Sequence, residues 1–368
     1  MNEIQVYNKN KEKIMKKAIV LIGLLFAIDA QAVCQRNEAR VTYDITTGLK
    51  RGTYFKIGAN LAKYVAPDAC IKLNVLPSNG SMDNALKLNS PNNIKFAIVQ
   101  NDVLQELKKL SEQGNQKAVD LVKNLRVIAP LYNEEIHIIA DVESGINTFG
   151  DLRDKKISIG KPKSGTAMTS YLLYKELFGE ELKKSRTQPF NEALKDLEKG
   201  HIDAIITVGG QAIPRLKSMN KNSGKYLKLL TYNEKNKNHK PIENYYTADI
   251  KNSSYAWISR DIPTLSTKAY LITYNYTNKR EKKYIKKFVR SFRATLPYLK
   301  RNATTSSETP HEKWREVLDE CSPPLPSGWR YYSVVNEVCR HNNIPPEPKK
   351  RVPRGCSQRD YDTGVCER

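Results

Sequence analysis

The chain has no Cys-x-x-Cys pair, no Gly-x-Ser-x-Gly, no His-Glu-x-x-His and no Gly-Lys-Ser/Thr phosphate loop. These absences argue against a zinc ribbon, an elbow-type serine hydrolase, a zincin and a P-loop nucleotide enzyme. Beyond residue 32 it also lacks any apolar run of the roughly 20 residues that a bilayer span needs. Acidic residues are scarce: 39 Asp and Glu face 61 Lys and Arg, a net charge of +22. The basic residues are scattered (Lys108, Lys109, Lys183, Lys184, Lys282, Lys283), and no aromatic-laced basic helix collects them. The charge therefore reads as solvated surface that helps gather an anionic ligand. Nucleic acid is not an expected partner, and a monomer is expected.

What is present begins with a targeting pattern. Lys16 and Lys17 precede an eleven-residue apolar run at 18–28, and Ala30-Gln31-Ala32 supplies an A-x-A cleavage pattern. Residues 1–32 read as a secretory signal peptide cleaved near Ala32, with Met15 as the expected true start. Val33 before Cys34 is a poor lipoprotein site, so a soluble product exported to the periplasm is expected. Six cysteines follow: Cys34, Cys70, Cys321, Cys339, Cys356 and Cys366. An even number in an oxidising compartment points to disulfides. Cys34–Cys70 is the preferred long-range bridge, with two more inside the tail, whose pairing the sequence leaves open. No metal or cofactor is expected.

Along the chain, apolar periodicities of two and of 3.6 residues alternate. Strands are expected at 41–47, 71–77, 95–100, 126–131, 135–141, 156–160, 202–208, 226–231, 255–258 and 270–274. Helices are expected at 53–65, 82–89, from 101, from 164, at 191–200, 211–218 and 282–300, the last kinked or ended early by Pro297. Such alternation indicates an α/β fold with mainly parallel sheets. Ligands in these folds sit beyond the carboxyl ends of strands. Polar or glycine-containing groups fall at those ends five times: Thr46-Thr47-Gly48, Gly80-Ser81, Gln100-Asn101-Asp102, Ser164-Gly165-Thr166 and Gly209-Gly210. The most informative is the strand–turn–helix at 155–179, where a helix opening at Ser164-Gly165-Thr166 offers free N–H groups and a partial positive charge to an anion.

Taken in order, these motifs resemble the TAXI class of solute-binding proteins of TRAP transporters over residues 41–317. The matching segments are T-G-L-K-R-G-T-Y-F (47–55), G-S-M-D-N-A-L-K-L (80–88), V-Q-N-D-V (99–103), L-Y-N-E-E-I-H-I (131–138), S-G-I-N-T-F-G-D-L (144–152), I-G-K-P-K-S-G-T (159–166) and L-E-K-G-H-I-D-A (197–204). Lys50-Arg51, Lys161 and Lys163 depart from it by adding positive charge, which shifts the expected ligand towards more anionic solutes. The resemblance implies a two-lobed fold of the type II periplasmic-binding kind that closes about a hinge on a small carboxylate, an amino acid or a dicarboxylate, and hands it to a TRAP-type permease. One lobe would hold 38–131 and 242–317, the other 132–241, and 320–368 would form a Cys- and Pro-rich extension.

The expected ligand-binding residues are Thr47, Thr53, Tyr54, Ser81, Gln100, Asp102, Tyr132, Ser164, Gly165, Thr166 and Gly209. Asp102 would suit an ammonium, or cap its helix. Two rival readings follow from other residues. Glu134 and Glu135 beside His137 suggest acid–base or metal chemistry, but in a strand 135 and 137 share a face while 134 points away, and a catalytic role is not expected. The Cys-rich tail suggests instead a ligand sensor or host-interaction protein on the same fold.

Overall fold

The computed structural model describes residues 34, 38–88, 93–162 and 164–340. In the amino-terminal part, β1 (Val41–Thr46), β2 (Ile71–Leu76) and β3 (Ile94–Gln100) pair in parallel in the order β2-β1-β3. Alternation along β3 explains why this sheet is covered on both faces. Phe96 and Ile98 enter one apolar cluster, while Ala97 and Val99 enter another. The same arrangement recurs further on, where β5 (Ile157–Ser158), β6 (Ser185–Arg186) and β7 (Ala204–Gly209) pair in parallel in the order β6-β5-β7. Ala204 and Ile206 of β7 face one core and Ile205 another. The fold is thus a two-lobed α/β structure in which each lobe repeats one strand order.

Two long strands join the lobes. β4 (Leu125–Asp141) and β10 (Ile262–Tyr274) pair antiparallel with each other at the centre. β10 also closes the first lobe against β3, and β4 closes the second against β7. Residues 126–131 and 135–141, expected as two strands, are one continuous strand that changes lobe midway: Leu131 and Tyr132 pack in the first lobe, Ile136 and Ile138 in the second. The return crossing lies within β10, between Leu265 in the second lobe's core and Ala269 in the first. The expected return at 241–245 is therefore displaced: Tyr245, Ile250, Tyr255 and Trp257 all pack in the second lobe. The shorter strands β8 (Leu227–Leu229) and β9 (Tyr246–Ile250) flank β4 and β10.

The helices are α1 (Thr53–Asn60), α2 (Ser81–Leu88), α3 (Asn101–Glu112), α4 (Gln116–Asn124), α5 (Gly165–Phe178), α6 (Phe190–Glu198), α7 (Pro214–Lys217), α8 (Lys279–Arg301) and α9 (Ser333–Arg340). Three expectations fail here. Residues 255–258 form a turn whose aromatic side chains go into the core, so apolar content there signals burial rather than strand pairing. The helix expected at 211–218 shrinks to α7, because Gln211 is drawn off to Glu135 and Asp249. And α8 continues past Pro297: Phe292, Leu296 and Leu299 are buried on one face, and Lys300 Nζ donates to the Val317 carbonyl at 2.8 Å, so packing outweighs the missing backbone donor.

The bridge Cys34–Cys70 is present as expected, and Cys321–Cys339 is a second; Cys356 and Cys366 lie outside the described residues, as does the signal segment. Residues 321–340 are not a separate appendage. The Val127 N–H donates to the Arg330 carbonyl and the Tyr332 N–H to the Val127 carbonyl, each at 2.9 Å, and Tyr332, Val334 and Val335 join the first lobe's core. Full burial of such side chains contributes about 1.5–3 kcal/mol each. A chain ended after Glu320 should therefore lose several kcal/mol in urea unfolding. An unchanged midpoint would show that this segment is dispensable to the lobe.

Candidate functional site

The loops at the carboxyl ends of β1, β3, β5 and β7 converge where the two lobes face each other. On the first lobe, Asn84 of α2 ties the strand ends together. Its amide donates to the Thr47 carbonyl, and to the Ile98 carbonyl at 2.7 Å, while Thr46 Oγ1 donates to its oxygen at 2.8 Å. This fixes where α2 begins. Ser81 then donates to Gln100 Oε1 at 3.1 Å and accepts the Gln100 N–H at 3.1 Å, and the Tyr54 hydroxyl lies 3.4 Å from Ser81 Oγ.

On the second lobe, α5 starts at the expected place: Ser164 is its N-cap and accepts the Ala167 N–H at 3.1 Å. The two helix starts press against each other across the cleft. A Cβ on Gly80, which has φ of +125°, would lie 2.6 Å from the Gly165 nitrogen, and one on Gly165 would lie 3.1 Å from Gln100 Oε1. The position of Gly80 therefore requires glycine for the lobes to meet, and a side chain at Gly165 would push the Gln100 amide aside. The Gln100 side-chain oxygen sits at the junction of two positive helix ends, where an anionic oxygen is favoured.

Of the expected ligand residues, Tyr54, Ser81, Gln100, Gly165 and Tyr132 come together, the Tyr54 and Tyr132 rings being 6.5 Å apart edge to face. Thr166 lies beside them on α5, and its hydroxyl accepts the Val208 N–H at 3.3 Å. Three others turn out differently. Thr47 commits its hydroxyl to the Leu76 carbonyl at 2.9 Å. Thr53 sits partly exposed at the start of α1 with no side-chain cap in front of it. Gly209 is buried in the β4–β7 ladder opposite Glu135. Asp102 is in the first turn of α3, where Gln100 holds the N-cap position. It is buried, accepts the Val103 N–H at 2.9 Å and the Tyr245 hydroxyl at 3.3 Å, and burial pushes its pKa up.

Glu134, which sequence patterning offers only for catalysis, packs beside Tyr54 and Tyr132 at the cleft. It is 5% exposed, its Oε2 has no partner, and burial pushes its pKa up to about 7, against the opposing pull of a hydrogen bond from Tyr54. The Tyr132 hydroxyl beside it is likewise buried without a partner. Glu135 points the other way and is held by Lys313 at 2.7 and 3.1 Å, Lys313 also reaching Glu316 at 2.6 Å. Gly210 makes room for this lysine, since a Cβ there would lie 2.6 Å from Lys313 Cε. His137 is buried, with Nδ1 3.0 Å from the Glu135 carbonyl and Nε2 2.9 Å from the Tyr255 hydroxyl, and burial pulls its pKa down to about 3. These three residues thus make no acid–base pair: each side chain has a different environment. Cys34, Glu38 and Cys70 form the one His/Cys/Asp/Glu cluster of metal-binding dimensions found among the described residues, and its two sulfurs are spent on each other.

A cavity of about 440 Å³ lies elsewhere, in the groove between α3 and α5. Its walls mix Lys108, Lys109 and Lys175 with Glu106, Glu112 and Glu176, giving no single charge preference. A smaller cavity of about 60 Å³ opens beside the α5 start and includes Ser158, Thr207 and Arg215. Sequence patterning does not single out these three. A serine inside the apolar run I-S-I was the one available signal; nothing in I-P-R-L-K marks Arg215. Among the described residues no helix is long and apolar enough to cross a membrane.

Solved structures of low identity share parts of this shape. A protein from Bordetella bronchiseptica RB50 is 11% identical over 82% of this chain and 98% of its own, with a TM-score of 0.49. A periplasmic transporter is 11% identical over 83% and 94%, with a TM-score of 0.47. The arginine-, lysine-, histidine-binding protein ArtJ from Geobacillus stearothermophilus is 14% identical over 70% and 90%, with a TM-score of 0.40. The model of the NMT1-like family matches residues 45–333, which spans both lobes and every residue of the cleft described above, and the chain belongs to that family.

Proposed function

We propose that this is an extracytoplasmic solute-binding protein that captures a small anionic solute by lobe closure and delivers it to a membrane permease. The observation that carries this reading is the meeting of two helix starts, one from each lobe, around the Gln100 oxygen. Two partial positive charges brought together favour an anion between them, and an anion touching both lobes biases the closed form. The resemblance of the motifs narrows the solute to a carboxylate, an amino acid or dicarboxylate, the permease to the TRAP type, and the location to the periplasm. Charge-assisted hydrogen bonds contribute roughly 1.5–3 kcal/mol each, and a micromolar ligand needs about 8 kcal/mol net. A few such bonds with packing on Tyr54 and Tyr132 suffice. Glu134 suits a cationic group on the same solute, as in an amino acid: a neighbouring ammonium stabilises its ionised form.

In a thermal-shift screen, at least one small carboxylate should raise the melting temperature. The double variant Ser164→Ala, Thr166→Ala should lose that response while paying about 1 kcal/mol of stability for the missing cap. A melting temperature raised by neutral sugars and by no acid would defeat the reading.

Glu134 gives a pH test. Its folded pKa of about 7 stands above the reference 4.5, so between those values the folded form keeps a proton that the unfolded form has released. Stability is then lost as pH rises through that window and levels off above it. Relative to the wild type, Glu134→Gln should gain stability from pH 4.5 to 7, by up to about 3 kcal/mol. Urea unfolding of ligand-free protein at pH 5 and pH 8 measures this. An equal difference at both values would refute the assignment.

A further inference from the structure

The 60 Å³ cavity of the second lobe has a donor inventory that no contact within the protein uses up. It lies at the carboxyl ends of β5 and β7, beside the first turn of α5, and Leu49 from the first lobe's 47–55 loop forms part of its wall. Ser158 is fully buried and its hydroxyl has no partner. Ser164 Oγ accepts the Ala167 N–H, Thr166 Oγ1 accepts the Val208 N–H, and Thr207 Oγ1 accepts from Arg215 Nη2 at 2.6 Å. In each case the hydroxyl receives a hydrogen bond and keeps its own proton to give. Gln188 is already spent, its amide donating to Asp196 at 3.2 Å.

Arg215 supplies the charge. Its guanidinium stacks on the Phe190 ring, 5.0 Å from the centroid, and donates to the Thr207 hydroxyl. Among the described residues it forms no salt bridge. A guanidinium held by an aromatic face and a hydroxyl, with no carboxylate of its own, is a preorganised anion partner. Its polar neighbours on the cavity wall are the exposed Lys161, hydroxyl donors and the amino-terminal end of a fourteen-residue helix. Among the described residues no carboxylate lines the cavity to compete.

We infer that this cavity is the subsite for the solute's terminal oxyanion, with Arg215 as counter-charge and Ser158, Ser164, Thr166 and Thr207 as donors. This rests on the solute-binding reading above and places the acid group within it. Leu49 arrives from the opposite lobe, so closure brings an apolar side chain over the charge pair, where lower polarity strengthens the attraction. A carboxylate, a phosphonate and a sulfonate share the required chemistry.

The test uses the mature full chain and calorimetric titration with L-glutamate, succinate, methylphosphonate and methanesulfonate at constant ionic strength. The anion that binds the wild type should bind about thirtyfold more weakly to Arg215→Gln and about fivefold more weakly to Ser158→Ala, with Arg215→Lys intermediate. Which of the four binds identifies the oxyanion. Should Arg215→Gln fail to fold, a loss of affinity in Arg215→Lys decides the matter. Undiminished affinity in the Arg215 variants would overturn the subsite and leave the solute-binding reading standing. If none of the four binds the wild type, the subsite and the anionic ligand fall together.

Discussion

Everything in this molecule depends on two strands being shared. β4 and β10 hydrogen-bond to each other and run from one lobe into the other, so neither lobe's sheet is complete without a strand whose other half belongs to its partner. The constraint follows from strand chemistry: an unpaired edge on β3 or β7 would leave backbone donors and acceptors without partners in the core. Closing both edges with the same two strands couples the lobes through a narrow ladder. The chain changes lobe at Tyr132–Ile136 and again at Leu265–Ala269, so any relative motion of the lobes would have to be absorbed in these two short spans.

Charged groups collect beside this ladder. Burial pulls the Lys313 pKa down, but Glu135 and Glu316 outweigh it and hold the lysine above its usual value. An ion pair this buried adds little net stability, yet losing one partner is costly, so it acts more to fix geometry than to add strength. It connects the 3₁₀ turn at 312–316 to β4, and Gln211 joins it from the loop after β7 through its N–H to Glu135 at 2.6 Å. Glu134, one residue away on the opposite face, has no such partner and faces the cleft. Adjacent carboxylates are thereby divided between an ion-paired environment and an uncompensated one.

Much of the fold was legible because period-two and period-3.6 patterns report burial directly. The strands 41–47, 71–77 and 95–100, the helix start at Ser164 and the Cys34–Cys70 bridge all appear within a residue or two of where the sequence put them. What could not be read depends on tertiary pairing. Residues 126–141 read as two strands because Pro130 and the polar group at 133–135 break the pattern, yet pairing with β10 carries the backbone straight through. Tyr255 and Trp257 read as strand because burial and extension leave the same apolar trace. Residues 320–340 read as an appendage because Pro, Cys and charge dominate there, although Tyr332 and Val335 complete a core laid down some 200 residues earlier. In the cleft, glycine and hydroxyl positions at strand ends were visible as turn chemistry, whereas Arg215 and Ser158 matter only through what folding sets beside them.

The contact between Gly80 and Gly165 has one further consequence. Each belongs to the electropositive end of a helix, and shutting the molecule forces those ends within van der Waals reach of one another, with a neutral amide oxygen as the sole mediator. Like partial charges oppose that approach, and a negative charge placed between the two ends would offset the repulsion.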